Sequence, residues 1–188
     1  MDDRARPEET KHHHRGKSSE SLLDKNSILA HLRIESGQVI LDAGCGDGYM
    51  SKEFAKLTGS KGKVYALDPD PLSIDTLEAE TTGTNIVPLV GDITIETKLP
   101  AGSIDLVYLS TVVHGFSKSQ MKGFATETNR LLKPGGILAV IEIQKEDTPF
   151  GPPLEIRVSP EELKDMVGLR PVSLAEVGEH FYMQVFQK

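Results

Sequence analysis

The sequence predicts an α/β fold: a doubly wound, mostly parallel sheet with helices on both faces. Three observations carry this. From about residue 39 onward, short apolar runs alternate with helical patterns. The runs are near-continuously apolar ("VIL", "KVYAL", "IDLVYL", "GGILAVIEI"), as strands buried on both faces are. Glycines recur at Gly44, Gly46 and Gly48 just after the first run, where the backbone must turn tightly or let a ligand come close.

The elements follow in order. Leu22, Leu23, Ile28, Leu29 and Leu32 fall mostly on one helical face, and Gly37 ends that region. Val39–Leu41 reads as a strand and Tyr49–Leu57 as a helix closed by Gly59. Lys63–Leu67 is a strand, Pro71–Glu80 a helix ending near Gly83, and Asn85–Val90 a strand. Pro88 sits inside that third strand, and proline cannot donate to a ladder, so the strand should lie at a sheet edge. Ile104–Leu109 is a strand, followed by a helix from about Ser117 to Leu132 and a strand over Gly136–Ile143. A helix starts at Ser159 with Pro160 in its first turn, which suits proline's fixed torsion and missing donor. Strands near Val172–Val177 and Phe181–Phe186 flank a turn at Gly178 and should pair antiparallel.

Bulk properties narrow the function classes. The chain has 188 residues, 38% hydrophobic and 26% charged, enough for one domain with a sizeable core. We divide it into a polar arm, residues 1–20, expected to be mobile or to cap the cleft, and a single domain, 21–188. No apolar run is long enough to span a bilayer. Cys45 is the one cysteine, so there is no internal disulfide framework. These features point to the cytoplasm. A net charge of −7 disfavours nucleic acid as a partner, because duplex binders present a basic face. The tract His12–His14 invites a metal reading. Adjacent histidines on an extended arm point apart, however, and no acid or cysteine closes a ligand set, so no metal is expected.

The glycine loop selects its ligand by what flanks it. A phosphate-binding loop needs Lys followed by Ser or Thr after the last glycine, and Tyr49–Met50 stand there instead. The dinucleotide fingerprint is G-x-G-x-x-G, whereas this loop is G-x-G-x-G with Asp42 two residues before it. An acid there suits a cationic ligand end, such as an amino acid ammonium group. Asp68, twenty residues after Gly48, is placed to take both hydroxyls of a ribose. In a solvent-filled cleft it should be replaceable without loss of fold. Asp92 ends the third strand, where it can accept from an adenine amine.

"VILDAGCGDG", "YALDPD", "LVGDI", "SIDLVYLSTVVHGF" and "NRLLKPGGIL" resemble, in order, motifs of the class I S-adenosylmethionine-dependent methyltransferases, as a small domain of the type 11/25-like kind. The resemblance covers roughly residues 35–145. It implies a Rossmann-like seven-stranded sheet of order 3-2-1-4-5-7-6, the last strand antiparallel, with S-adenosyl-L-methionine as cofactor and S-adenosyl-L-homocysteine as product. It also implies roles. Asp42 and the backbone of Ala43, Gly44, Cys45, Gly46 and Gly48 face the methionine part. Asp68 binds the ribose, with Leu67 and Pro69 near the adenine. Asp92 and the Ile93 backbone read the adenine edge. Ser110 lines the mouth of methyl transfer.

Several acceptors are disfavoured. "STVVHG" lacks the Asn/Asp-Pro-Pro-aromatic turn of amino-methylating enzymes of the adenine type, the region lacks the nucleophilic cysteine of cytosine-carbon enzymes, and Ser110–Thr111 offers no carboxylate for a catechol-type metal site. A small-molecule acceptor is the default. His114, just past the fourth strand, is the candidate catalytic base; the alternative is a pocket-wall or helix-start residue. Glu142 is a carboxylate in an apolar strand, which needs a reason. Asp105 belongs to the opposite end of the sheet and reads as structural. The proline-rich segment 144–160 is either a lid or a surface crossover, and Phe150, Glu155 and Arg157 are its candidate acceptor contacts. Two other functions fit the same features: an aminopropyl-type transferase, and a cofactor-binding partner subunit without turnover. The catalytic readings require a closed dry pocket, the partner reading an exposed apolar patch.

Overall fold

The computed structural model describes residues 19–188, with side chains from Ser21 onward. Residues 1–18 lie outside the described residues, and with them the capping arm and the His12–His14 tract.

Seven strands form one sheet: β1 (Val39–Ala43), β2 (Lys63–Asp68), β3 (Ile86–Val90), β4 (Ile104–Ser110), β5 (Leu132–Ile143), β6 (Arg170–Gly178) and β7 (Phe181–Gln187). Their order is β3-β2-β1-β4-β5-β7-β6. The first five run parallel; β7 runs antiparallel to both β5 and β6. Pro88 lies in β3, paired with β2 alone at the sheet edge, so its missing N–H costs no ladder bond.

Two cores cover the sheet. On one face, Ile28 and Leu32 of α1 (Lys25–Leu32), Met50 and Phe54 of α2 (Tyr49–Thr58) and Ile74 and Leu77 of α3 (Pro71–Thr81) pack on alternate strand residues. Phe54 meets Tyr108 of β4 edge to face, centroids 5.0 Å apart, the geometry that ring quadrupoles favour. On the other face, Phe124 and Leu131 of α4 (Lys118–Leu131) and Leu163 and Val167 of α5 (Pro160–Val167) pack on the remaining strand residues. Capping boxes start α4 and α5: Ser117 pairs with Gln120 and Ser159 with Glu162. Each satisfies two backbone donors that the first turn leaves open.

Two boundaries differ from the sequence expectation. The first helical region divides into a 3-10 turn (Ser19–Leu22) and α1, and α1 ends at Arg33 rather than Gly37. Arg33 adopts φ 49° and donates its N–H to Leu29, doing the work of a capping glycine. β5 begins at Leu132 rather than Gly136. Leu132 pairs with Ile104 before a register shift absorbs the residues up to Gly136, so "KPGG" forms an irregularity within the strand. Asp105 sits at the amino end of β4, accepting from Val39 N–H (2.8 Å) and Lys133 Nζ (2.7 Å).

Candidate active site

A parallel sheet brings the carboxyl ends of its strands to one rim, and the residues singled out in the sequence gather there. The loop after β1 is held by β2. Gly44 and Cys45 N–H both donate to the Leu67 carbonyl (2.7 and 3.1 Å). Gly46 N–H donates to Asp68 Oδ2 (2.9 Å), and Asp70 N–H to Asp68 Oδ1 (2.8 Å). The three glycines have positive φ, and each meets a different constraint. A Cβ on Gly48 would lie 2.4 Å from Leu77, and one on Gly44 2.9 Å from Val112. A Cβ on Gly46 would meet nothing within 4 Å. Gly46 therefore leaves the loop's open face, with bare backbone available for close approach.

Asp42 needs a correction. It is only 3% exposed, and its Oδ2 accepts from Ser51 of α2 (2.5 Å). The acid braces the loop from behind rather than standing open to a ligand. Ser51 was not singled out in the sequence; a serine on the buried face of a polar helix was its one signal. Cys45 is buried, and burial, followed by the charges of Asp42 and Asp68, pushes its thiol well above the usual range. It is thus no nucleophile.

At the next strand ends, Asp68 and Asp92 are half-buried and Pro69 is exposed, while Ile93 is buried. Asp92 Oδ1 accepts from Thr94 N–H (2.8 Å), which fixes the turn after β3. Behind that turn, Glu127 of α4 is buried and accepts from Thr97 N–H and Oγ1 and from Arg130. Burial pushes its carboxyl up, but the bonds from Arg130 and Thr97 outweigh this and hold it below the usual carboxylate range.

At the end of β4, Ser110 Oγ is buried with no hydrogen-bond partner among the described residues. Thr111 follows with φ 56°, an unusual conformation for a β-branched residue. Its N–H donates to the Ile141 carbonyl of β5 (2.8 Å). The turn then presents His114, whose Nδ1 lies 2.8 Å from Glu142 Oε2. Glu142 is fully buried. The two residues are far apart in sequence, so no spacing rule pairs them.

The segment after β5 is held by its own arginine. Arg157 is 6% exposed, and its guanidinium donates to the carbonyls of Gln144, Glu146, Phe150 and Pro152. It clamps the loop, and the expectation that it touches an acceptor is corrected: it is buried, and four of its five N–H donors are spent on these carbonyls. Phe150 packs on Phe181 and His180, and Glu155 is exposed on a 3-10 turn. Two surface hollows, one beside Asn129 and Leu169 and one beside Lys145 and Leu174, contain none of the site residues. Among the described residues no cluster of three metal-binding side chains forms and no helix is long and apolar enough to cross a membrane.

Sheet order and loop position together define a Rossmann-like α/β domain with its site at the carboxyl ends of the strands. A family model described as "Methyltransferase domain" matches residues 40–136, and the chain belongs to that family. A SAM dependent methyltransferase from Aquifex aeolicus superposes with TM-score 0.81 at 26% identity, covering 92% of this chain and 93% of that one. The S-adenosylmethionine dependent methyltransferase from Mesorhizobium loti shares the fold at TM-score 0.69 and 16% identity, over 87% and 96% of the two chains. An uncharacterized methyltransferase of Synechocystis is 29% identical over 129 residues, 68% of this chain and 58% of that protein. A sterol 24-C-methyltransferase of Gibberella zeae is 34% identical over 119 residues, 61% of this chain and 30% of its own length. The chain thus spans between about a third and three fifths of these two curated relatives.

Proposed function

We propose that this chain is an S-adenosyl-L-methionine-dependent methyltransferase acting on a small molecule. The observation that carries the reading is the open Gly46 after β1, bonded to the acidic end of β2, with β4 and its buried, unpartnered Ser110 hydroxyl the next strand on the other side. The donor set fits the cofactor. The Gly44–Gly48 backbone, braced from behind by Asp42, would hold the methionine part, Asp68 the ribose, and Pro69, Asp92 and Ile93 the adenine. A carboxylate has about four acceptor sites; Asp68 spends one on Gly46 and one on Asp70, leaving acceptors for two hydroxyls. When bound, the cofactor supplies an electrophilic methyl carbon on an excellent leaving group.

The protein's own task is then positioning and water exclusion. His114 is the candidate base, and Phe150 and Glu155 are the acceptor-side candidates on the clamped loop. The family likeness supports a small-molecule acceptor, and the net charge of −7 argues against nucleic acid. A single cysteine fits the cytoplasm. Isothermal titration tests the reading: S-adenosyl-L-methionine and S-adenosyl-L-homocysteine should bind and NAD should not. NAD binding without sulfonium binding would overturn it.

A further inference from the structure

We propose that Glu142 is a positioning residue that fixes His114 as a proton acceptor, and that the methyl acceptor is therefore a group that must lose a proton. A hydroxyl, a thiol or a proton-bearing carbon qualifies; a tertiary amine or a thioether does not. The proposal rests on the methyltransferase reading and names the substrate class of that site.

A fully buried carboxylate inside "AVIEI" is costly unless its oxygens are satisfied. Both of its hydrogen bonds come from one residue. His114 Nδ1 lies 2.8 Å from Oε2, and His114 N–H donates to Oε1 (3.3 Å). An isoleucine would fill this strand position at less cost, so the carboxylate serves His114. Tyr182 stands opposite Glu142 across the β5–β7 pair but gives its hydroxyl to the Val158 carbonyl (2.7 Å), so it does not compete.

An ionised carboxylate only accepts. In the proposed pairing Nδ1 carries the proton, and Nε2 keeps its lone pair. Nε2 has no partner among the described residues and is not among their buried unpartnered atoms, so it opens to solvent. The turn that carries His114 is itself fixed over the glycine loop. Thr111 is held in the left-handed region, and Val112 abuts Gly44 so closely that a Cβ there would lie 2.9 Å away. Strain of this kind persists where surrounding structure over-determines it.

The proton balance follows. As the acceptor atom forms its bond to the methyl carbon, the carbon–sulfur pair leaves with the thioether. The acceptor's proton passes to Nε2. The imidazolium keeps its Nδ1–H on Glu142, and the new proton is released to water.

The test needs no knowledge of the acceptor. In the wild-type chain labelled at its histidine nitrogens and saturated with S-adenosyl-L-homocysteine, NMR should find neutral His114 protonated on Nδ1. The preference should be roughly tenfold or more, the ratio a charge-assisted hydrogen bond supports. Glu142→Gln should reduce that preference several-fold while leaving cofactor affinity unchanged. Transfer of labelled methyl into a small-molecule extract should fall roughly 100-fold or more in His114→Gln, within the range for general-base removal. A proton on Nε2 in the wild-type chain would overturn the pairing, as would products that are quaternary ammonium or sulfonium ions. The wild-type spectrum decides even if Glu142→Gln does not fold. Failure to bind S-adenosyl-L-homocysteine would instead sink the underlying reading, so the two failures are distinct.

Discussion

The two halves of the carboxyl-end rim are built on opposite plans. At the ends of β1 and β2 the acid Asp68 is tied to the backbone of its neighbours, Gly46 and Asp70. At the ends of β4 and β5 the acid is fully buried and meets both the side chain and the backbone N–H of one distant residue, His114. The first half makes one carboxylate a scaffold and, on the proposed reading, a ligand contact as well. On our proposal the second separates the roles: Glu142 holds His114, and His114 takes the proton. A local tie of the first kind survives small shifts of the sheet. A pair of the second kind is only as good as the register between β4 and β5.

The largest expected effect tests the double role of Asp68. Asp68→Ala should cost about 2–4 kcal/mol in cofactor affinity, roughly 30- to 1,000-fold. The sequence alone suggested an intact fold. The structure changes that expectation, because Gly46 and Asp70 N–H lose their acceptor. A stability loss of about 1–2 kcal/mol should accompany the affinity loss. Titration calorimetry and urea unfolding on the same variant separate the two. Weakened affinity with unchanged stability would mean that water replaces the carboxylate in the loop.

This contrast also explains what was legible. The first half is read from short spacings. Gly44, Gly46 and Gly48 lie within one loop, and Asp68 follows at the distance set by one helix and one strand. Pro88 put β3 at the edge because its missing donor has one structural consequence. The second half depends on tertiary register. Glu142 stood out as a carboxylate among apolar residues, but only the β4–β5 pairing brings it to His114. Arg157 misled for a related reason. A cation on a loop beside a candidate cleft looks like a substrate contact, and nothing in its neighbours signals that four carbonyls will surround it. Arg33 replaced the expected glycine stop because the cap needs a left-handed residue, not glycine as such.

Arg157 gives the next effect. Arg157→Met keeps the apolar stem and removes the donors to Gln144, Glu146, Phe150 and Pro152. We expect a loss of about 1–3 kcal/mol in stability and faster amide hydrogen exchange across residues 144–157. Cofactor affinity should not change, since the first half does not use this loop. A drop in cofactor affinity matching that of Asp68→Ala would show that the halves are coupled and the contrast false.

A smaller effect comes from Glu127, which ties the turn after β3 to α4. Its carboxyl is held below the usual value of 4.5 in the folded state. The stability this gives is therefore fully present above the unfolded value and is lost as pH falls through the folded one. Glu127→Gln should lower stability by about 1 kcal/mol at neutral pH. It should also flatten the fall in urea midpoint between about pH 5 and about pH 3, the window in which glutamates ordinarily titrate. An unchanged acid profile would assign the acid sensitivity to other carboxylates.

Cys45 should give the smallest effect, and it tests how firmly the first half is tied. Burial pushes its thiol well above the usual range, and Asp42, Asp68 and Asp47 add to the shift. Its Sγ reaches only the Gly46 carbonyl, at 3.7 Å. The thiol should stay neutral at physiological pH, and neutral buried thiols react slowly. Cys45→Ala removes one atom and a weak contact, so we expect under about 1 kcal/mol of destabilisation and cofactor affinity within about threefold of the parent, less than a tenfold step. Alkylation of the native protein should be far slower than alkylation in denaturant, and S-adenosyl-L-homocysteine should slow it little further, because the closed loop already protects the sulfur. Rapid native alkylation that the cofactor then suppresses would show that the loop opens often and that the ties to Leu67 and Asp68 form mainly when ligand is bound. The first half would then resemble the second, with its geometry completed by a partner rather than by its own backbone.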